Sequence, residues 1–198
     1  AGKYTVQGGV NGNNLYLTID KNLQYIAEKE LAAGVKAARA KAGSIVIVEP
    51  QTGKVLAIAN YPTFNPNSIR KFRPSQWRNR AVCDSMEPGS TIKAFLMAAA
   101  FEEKVIRKKQ YINCENGSFS VGGRVIHDSH PYGRIRIEEV LKVSSNIAAA
   151  KIGKKLEREK LYQYLTNFGF GWKTGIELPG EVAGTLRPPS AWYELDLA

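Results

Sequence analysis

Apolar residues recur every three to four positions between residues 20 and 40, a spacing that places them on one face of an α-helix. Asp20 is a favourable N-cap and Gly43 a favourable stop. The pattern therefore predicts an amphipathic helix that begins after Asp20, runs to about Ala40 and is stopped by Gly43. Its predicted apolar face consists of Leu23, Ile26, Ala27, Leu31 and Val35.

Two apolar runs follow this helix, at residues 44–48 and 54–59. The turn sequence Pro50-Gln51-Thr52-Gly53 lies between them, so the two runs are predicted to pair as an antiparallel hairpin. A further short strand is predicted at residues 15–18. Residues 60–80 are rich in Pro, Asn and Arg and lack periodicity, which predicts a surface loop.

The second half of the chain is predicted to be mainly helical. The predicted helices are residues 91–100, 137–143, 147–156 and 157–167, the last with Leu161, Leu165 and Phe168 on its apolar face. Residues 111–127 have strand or loop character, and the chain is turn-rich from Gly169 onward. Helices and strands are mixed without the regular alternation of a parallel sheet, so the predicted class is α/β of the α+β kind.

Composition indicates an ordinary globular protein. The chain has 198 residues, of which 43% are apolar and 23% charged, enough for one substantial core. No stretch approaches eighteen consecutive apolar residues, and the N-terminus has no signal-peptide pattern. If the natural protein is membrane-anchored, we expect the anchor to lie outside these residues.

The charge balance is strongly basic, with 28 Lys+Arg against 18 Asp+Glu and a net charge of +10. Such an excess attracts nucleic acid, an anionic membrane surface or an acidic polymer, or forms a solvated face. No RNA-binding motif or zinc-finger spacing accompanies the basic residues, so nucleic acid is not a predicted partner. A non-catalytic module that binds an anionic polymer remains an alternative function.

The two cysteines, Cys83 and Cys114, are too few for a disulfide scaffold and too far apart for a CxxC site. They can be two small buried apolar side chains or a disulfide pair, and the first interpretation is favoured.

The segment Ser90-Thr91-Ile92-Lys93 opens an apolar helix and carries the strongest chemical signal. Positions i and i+3 of a helix share a face, with Cβ atoms about 5–6 Å apart, so the Lys93 amine should reach the Ser90 hydroxyl. A serine becomes a good nucleophile when a base takes its proton, and a lysine can be that base if its pKa is lowered. Ser68-Ile69-Arg70-Lys71 has the same spacing but lies in the predicted loop, so Ser90 and Lys93 are the catalytic candidates.

A second candidate segment is Ser144-Ser145-Asn146, the only SxN sequence in the chain. Ser144 could relay a proton to or from a leaving group, and Asn146 offers a donor and an acceptor to a peptide-like substrate. Helix capping is the competing interpretation, because Ser and Asn are common at helix starts.

His127, Asp128 and His130 form the only cluster that contains histidine, and such side chains can bind a metal ion. Three potential ligands in four residues without a partner cluster are a weak metal signal, and a loop or positioning function is favoured. Neither a metal nor a cofactor is predicted.

The order of these motifs resembles the penicillin-binding proteins and serine β-lactamases. Further segments resemble the class B transpeptidase domain, most closely that of the monofunctional, division-type enzymes, over residues 15–198. They are Leu17–Asp20 with Leu23-Gln24, Val48–Ala57, Asn79–Val82, Glu87–Thr91, Asp128 with His130 and Gly133, Ser144–Ile147, Phe168–Gly171 and Leu178–Glu181. The resemblance implies an antiparallel sheet flanked by helices with an all-α subdomain, and it leaves residues 1–14 as a linker or the end of a preceding domain.

The family's third motif, Lys-Ser/Thr-Gly on a strand, is matched in letters by Lys173-Thr174-Gly175. We reject this match because it follows Asn146 by only 27 residues (173 minus 146) and sits in a glycine-rich turn. The genuine motif and the remaining strands are expected beyond Ala198, so the chain is expected to be C-terminally incomplete.

The resemblance implies a peptidoglycan D,D-transpeptidase with Ser90 as acylated nucleophile, Lys93 as base, and Ser144 and Asn146 on the other wall of the cleft. The implied ligands are D-Ala-D-Ala stem peptides and β-lactams. The implied setting is extracytoplasmic, with an N-terminal membrane anchor, a glycosyltransferase and divisome proteins as partners of the full-length protein. A D,D-carboxypeptidase and a β-lactam-hydrolysing or sensing enzyme remain alternatives.

Overall fold

The computed structural model describes residues 11–197, which divide into two compact units, residues 11–83 and residues 84–197. The first unit contains α1 (Lys21–Ala37), β1 (Gly43–Val48), β2 (Val55–Tyr61) and α2 (Arg80–Cys83). The second contains α3 (Ile92–Glu102), β3 (Tyr111–Asn113), β4 (Ser118–Val121), β5 (Arg124–His127), β6 (Arg134–Arg136), α4 (Glu139–Lys142), α5 (Asn146–Leu156) and α6 (Arg158–Asn167). Between residues 11 and 197, none of these helices has the length and apolar character needed to cross a bilayer.

Helix α1 confirms the predicted N-cap, because the Asp20 carboxylate accepts hydrogen bonds from the backbone N–H groups of Asn22 and Leu23 at 2.8 and 2.9 Å. The helix ends at Ala37, before the predicted Ala40, and Arg39 has a left-handed φ of 52°. The predicted apolar face is wrong at Ile26, which is 52% exposed. The buried stripe has i, i+4 spacing and packs on the hairpin: Ala27, Leu31 and Val35 against Ala57 and Ala59, with Leu23, Ile45, Ile47 and Tyr61 at its edge.

Strands β1 and β2 confirm the predicted hairpin, with an antiparallel register that pairs Gly43 with Tyr61 and Val48 with Val55. In the turn, the Gly53 N–H donates to the Glu49 carbonyl at 2.8 Å, and Gly53 has a φ of +74° that favours glycine. The strand predicted at residues 15–18 is wrong. The Thr18 hydroxyl and the Asp20 N–H both bond to carbonyls of β2, but no ladder forms.

The segment predicted to be irregular at residues 60–80 is irregular over residues 62–79, because β2 ends at Tyr61 and α2 begins at Arg80; it contains 3-10 turns at Pro66–Lys71 and Pro74–Gln76. Of the predicted linker at residues 1–14, residues 1–10 lie outside the described chain and residues 11–14 are irregular, so the domain boundary remains a prediction.

The second unit is built around three helices, α3, α5 and α6, which occupy the regions where helices were predicted. Their buried side chains form one core that includes Leu96, Met97, Ile147, Ile152 and Leu161. The helix predicted at residues 137–143 is a four-residue turn, α4, and residues 169–197 are turn-rich as predicted.

Two antiparallel ribbons complete the second unit, β3 with β6 and β4 with β5. They account for the strand or loop character predicted at residues 111–127. The mixed class of helices and antiparallel strands is confirmed.

Candidate active site

Lys93 is the second residue of helix α3 and is buried, with 6% of its surface exposed. Its Nζ donates three hydrogen bonds, to the Ser144 carbonyl at 2.7 Å, the Ser144 Oγ at 3.1 Å and the Asn146 Oδ1 at 2.6 Å. Burial lowers the pKa of Lys93, and the negative charge of Asp128 opposes part of that shift. A lowered pKa increases the fraction of Lys93 that is neutral and can accept a proton.

Ser144 has a left-handed backbone conformation, with a φ of 52°. Such a conformation is uncommon for a residue with a side chain and occurs where surrounding contacts enforce it. It accompanies the double contact that Ser144 makes with Lys93 through its carbonyl and its hydroxyl. The residue also remains exposed, so its hydroxyl lies between the buried amine and solvent.

Asn146 is the first residue of helix α5, and its side-chain amide is fixed from both ends. The Nδ2 donates to the His127 carbonyl at 2.8 Å, and the Oδ1 accepts from Lys93. In the flipped orientation the Nδ2 would face the Lys93 donor and the Oδ1 would face the His127 carbonyl, so these two partners determine the orientation of the amide.

Helix capping is the alternative interpretation of this segment, and the residue that caps α5 is the middle one, Ser145. The buried Ser145 Oγ accepts from the Ala148 N–H at 3.0 Å and donates to the Asp128 Oδ2 at 2.7 Å. Capping by Ser145 leaves the side chains on either side of it directed at Lys93. Capping is thus confirmed for Ser145, and the chemical roles of Ser144 and Asn146 stay a prediction that their contacts with Lys93 support.

Asp128 holds the start of α5 in place. Besides the Ser145 hydroxyl, its Oδ1 accepts from the backbone N–H groups of Asn146 at 2.6 Å and Ile147 at 3.0 Å. A carboxylate at a helix N-terminus is stabilised by unpaired N–H groups and by the helix dipole. The sequence predicted a loop or positioning function for Asp128, and these contacts show that the segment it positions is Ser144–Asn146.

Cys114 completes the support of the segment, because its buried thiol lies 3.4 Å from the Ser145 Oγ. Burial raises the pKa of the Cys114 thiol, which keeps it neutral beside Asp128. Cys114 is therefore the buried side chain favoured by the sequence, and both cysteines are free thiols. Cys83 itself is half-buried. Sequence reasoning missed both Ser145 and Cys114 as parts of the site, and only the serine before a predicted helix carried a signal.

Ser90 lies in a 3-10 turn, Gly89–Thr91, that leads into α3, and it is exposed. The predicted contact between the Ser90 hydroxyl and Lys93 is not formed, since within residues 11–197 the three bonds of Lys93 go to Ser144 and Asn146. Three acceptors saturate the donors of an ammonium group, which explains why Ser90 is left without this bond. Gly89 has a φ of +56°, and no atom lies within 4 Å of where its Cβ would be. Its left-handed backbone conformation favours glycine, although the open space around it would accommodate a side chain.

The two rejected matches lie in other environments. Ser68 is inside the irregular turn Pro66–Lys71, with a non-helical φ of −138°. Thr174 and Gly175 lie on an irregular segment, where the Glu181 carboxylate accepts from the Thr174 N–H at 2.7 Å, the Thr174 hydroxyl at 2.6 Å and the Gly175 N–H at 3.3 Å. Donors that are bound to Glu181 cannot also hold a substrate carboxylate.

The Asp128 carboxylate is occupied by its three donors, so the histidine-containing cluster has a structural role at α5. In the described part of the chain, no group of three or more His, Cys, Asp or Glu side chains is arranged to hold a metal ion.

The three oxygens around Lys93 suit both protonation states of its amine. An ammonium donates to all three. A neutral amine donates to the Ser144 carbonyl and the Asn146 Oδ1 and accepts the Ser144 hydroxyl proton on its lone pair. The arrangement can therefore pass a proton between Lys93 and the exposed Ser144 hydroxyl without leaving a polar group unpaired.

The chain is similar to known proteins over most of its length. Residues 43–198 match the penicillin binding protein transpeptidase domain family. The chain is 32% identical over 188 residues to a probable peptidoglycan D,D-transpeptidase, PenA, of Neisseria gonorrhoeae, covering 95% of this chain and 32% of that protein. It is 33% identical over 186 residues to the peptidoglycan D,D-transpeptidase FtsI of Escherichia coli, covering 94% of this chain and 31% of that protein.

Among solved structures, the transpeptidase domain of Burkholderia pseudomallei penicillin-binding protein 3 superposes with a TM-score of 0.80 at 32% identity. The alignment covers 91% of this chain and 50% of that one. The chain thus spans about a third of the length of the curated relatives it matches and half of the matched structure.

Proposed function

Because this chain belongs to the penicillin-binding protein transpeptidase domain family, we propose that it forms part of a peptidoglycan D,D-transpeptidase that cross-links stem peptides through an acyl-enzyme on Ser90. The observation that carries this proposal is the buried Lys93 amine bound to Ser144 and Asn146, three residues after an exposed serine in the 3-10 turn that leads into α3.

In the proposed acylation, the Ser90 Oγ attacks the carbonyl carbon between the two D-alanines of a stem peptide. The Ser90 proton passes to neutral Lys93, the peptide C–N bond breaks, and the leaving D-alanine amine takes a proton. Ser144 supplies that proton and regains one from Lys93. The products are a Ser90 ester and free D-alanine.

In the second half of the reaction, an amine of a neighbouring stem peptide attacks the ester carbon. The new amide bond forms, the C–O bond to Ser90 breaks, and the proton from the attacking amine returns to Ser90 by way of Lys93. A β-lactam would acylate Ser90 by the first step alone, because its opened ring keeps the leaving nitrogen attached. Asn146 is assigned to the substrate backbone because its amide orientation is fixed before a ligand arrives.

The release of Lys93 toward Ser90 is a required step in this scheme. When substrate binds, the neutral amine must give up its hydrogen bond with the Ser144 hydroxyl and accept one from the Ser90 hydroxyl instead. Hydrogen bonds between catalytic groups are often absent or long in the unbound enzyme and tighten in the complex.

The test is labelling of the full-length protein with a fluorescent penicillin. We expect stable labelling that is lost in Ser90→Ala and retained in Ser68→Ala, a matched control because both serines precede a lysine by three residues. Rapid turnover of the label would favour a β-lactam-hydrolysing enzyme. Release of D-alanine from a pentapeptide by water alone would favour a D,D-carboxypeptidase, and an unlabelled full-length protein would contradict the acyl-enzyme.

The proposed setting follows from the proposed substrate, since the polymer to be cross-linked lies outside the cytoplasmic membrane. We place the full-length protein there, held by an N-terminal membrane helix and acting with a glycosyltransferase and division proteins. Fractionation of cells that express the tagged full-length protein tests this placement, and recovery in the cytosol would contradict it.

A further inference from the structure

The β3–β6 ribbon has one buried and one exposed face. Its register pairs Ile112 with Ile135, which both belong to the core of the second unit, and alternate residues point the other way. The exposed face therefore carries Tyr111 opposite Arg136 and, two residues along, Asn113 opposite Arg134.

The arginines of this face are grouped around one aromatic ring. The guanidinium carbons of Arg134 and Arg136 lie 5.5 and 5.7 Å from the centroid of the Tyr111 ring. Arg136 also donates to the Tyr111 hydroxyl at 3.2 Å and pairs with Glu138 at 3.4 Å. Arg134 forms no ion pair with any carboxylate of residues 11–197, so its charge is available to a ligand.

A basic turn adjoins the ribbon. The exposed residues Arg107, Lys108 and Lys109 lead directly into β3, in a turn where the Gln110 N–H donates to the Arg107 carbonyl at 3.0 Å. The Ile137 N–H donates to the Gln110 carbonyl at 2.9 Å, which places this turn beside the end of β6. The basic ribbon face is defined as Arg107, Lys108, Lys109, Tyr111, Arg134 and Arg136.

We propose that the basic ribbon face binds the carboxylate groups of uncross-linked stem peptides, holding the polymer while other stems react at Ser90. This inference rests on the proposed function. A D-Ala-D-Ala stem ends in a carboxylate, so a polymer with many such stems is a polyanion. The face offers five positive charges, and two carboxylates lie beside Arg136: Glu138, which pairs with its guanidinium, and Glu139, which accepts from its backbone N–H at 2.8 Å.

The geometry suits carboxylates better than a lipid surface. Residues two apart on a strand lie about 7 Å apart, so Arg134 and Arg136 can engage separate carboxylates with bidentate hydrogen bonds. Tyr111 adds an exposed ring, but none of the six residues has an aliphatic side chain that could insert among lipid chains.

The face is joined to the site through short segments of the same unit. Cys114, which contacts Ser145, directly follows β3, and β6 continues through α4 to Ser144. A polymer held on the face therefore keeps its other stems at a high effective concentration near Ser90. Each cross-link removes the terminal carboxylate of the donor stem with its D-alanine, so binding should weaken as cross-linking proceeds.

The experiment measures sedimentation of the full-length protein with purified, pentapeptide-rich peptidoglycan sacculi at low salt. The test variant is Lys108→Gln/Lys109→Gln/Arg134→Gln, and the control is Lys21→Gln/Lys29→Gln/Lys41→Gln, which removes the same charge from exposed positions of the first unit. We expect binding about tenfold weaker for the test variant and within about twofold of wild type for the control. Sacculi whose carboxylates have been amidated should bind wild type about tenfold more weakly.

Equal binding by the test and control variants would overturn the assignment of the face. Equal binding of wild type to amidated and untreated sacculi would overturn carboxylates as the ligand. The same conclusion would follow if the test variant bound anionic vesicles or heparin more weakly than wild type but bound sacculi equally well. Penicillin labelling of Ser90 should be unchanged in both variants. Absent labelling in wild type would contradict the proposed function, whereas the sacculus comparison would still decide whether the face binds carboxylates.

Discussion

Replacing Asp128 with asparagine keeps the shape of the side chain and removes its charge. The carboxylate accepts three hydrogen bonds at 2.6, 2.7 and 3.0 Å, from two backbone N–H groups at the start of α5 and from Ser145. A hydrogen bond to a charged group contributes about 1 kcal/mol more than a neutral one, and the helix N-terminus adds about 0.5 kcal/mol. We therefore expect Asp128→Asn to lower the free energy of unfolding by about 3–4 kcal/mol.

The same substitution should change the pH dependence of acylation. Ser90 labelling rises with pH as Lys93 loses its proton, so the midpoint of the rise reports the pKa of Lys93. Burial lowers this pKa and the Asp128 charge raises it. Removal of that charge therefore lowers the pKa further, and the midpoint should move to lower pH in Asp128→Asn.

The assays are urea unfolding and the initial rate of fluorescent-penicillin labelling between pH 5 and pH 10. Asp20→Asn is the matched control, since Asp20 also caps a helix through two N–H groups but lies in the first unit and is exposed. Asparagine caps as well as aspartate, so this control should change stability by only a few tenths of a kcal/mol. A midpoint that is unchanged or moves to higher pH in Asp128→Asn would refute the electrostatic reasoning.

Three further predictions concern packing, linkage and the rejected motif. A Cβ at Gly153 would clash with the backbone oxygen of Leu197, so Gly153→Ala should destabilise the protein by about 1–3 kcal/mol in thermal melting. Gly34→Ala, where the Cβ has open space, should stabilise it by about 0.5–1 kcal/mol, and equal effects of the two substitutions would contradict the packing. Because the folded pKa of Lys93 lies below 10.5, the folded protein binds fewer protons than the unfolded chain, so stability should rise with pH from that lowered pKa toward 10.5, and unfolding of Lys93→Met should lack this rise. Thr174→Val should leave Ser90 labelling unchanged, since the Thr174 hydroxyl is bound to Glu181, and lost labelling would reinstate the rejected motif.

Much of the fold could be predicted because local patterns encode local structure. The periods of apolar residues predicted α1, α3, α5 and α6, and the Pro/Gly turn predicted the β1–β2 hairpin. The errors occur where a short apolar run had no partner. Residues 15–18 have strand-forming side chains, yet no strand within residues 11–197 pairs with them, and Ile26 lies just off the buried stripe of α1. The outcome at both places depends on what packs against the segment, which periodicity does not specify.

The candidate site divides in the same way. Residue types and spacing were sufficient to select Ser90, Lys93, Ser144 and Asn146, because the chemistry requires a nucleophile, a base and polar groups in a recognisable order. Only the tertiary structure decided that Lys93 bonds to residues 51 and 53 positions away and leaves Ser90 without that bond. Competition among acceptors for a buried amine is settled by three-dimensional distance and geometry. For that reason the contacts by which Asp128, Ser145 and Cys114 support the start of α5 could be read only from the tertiary structure.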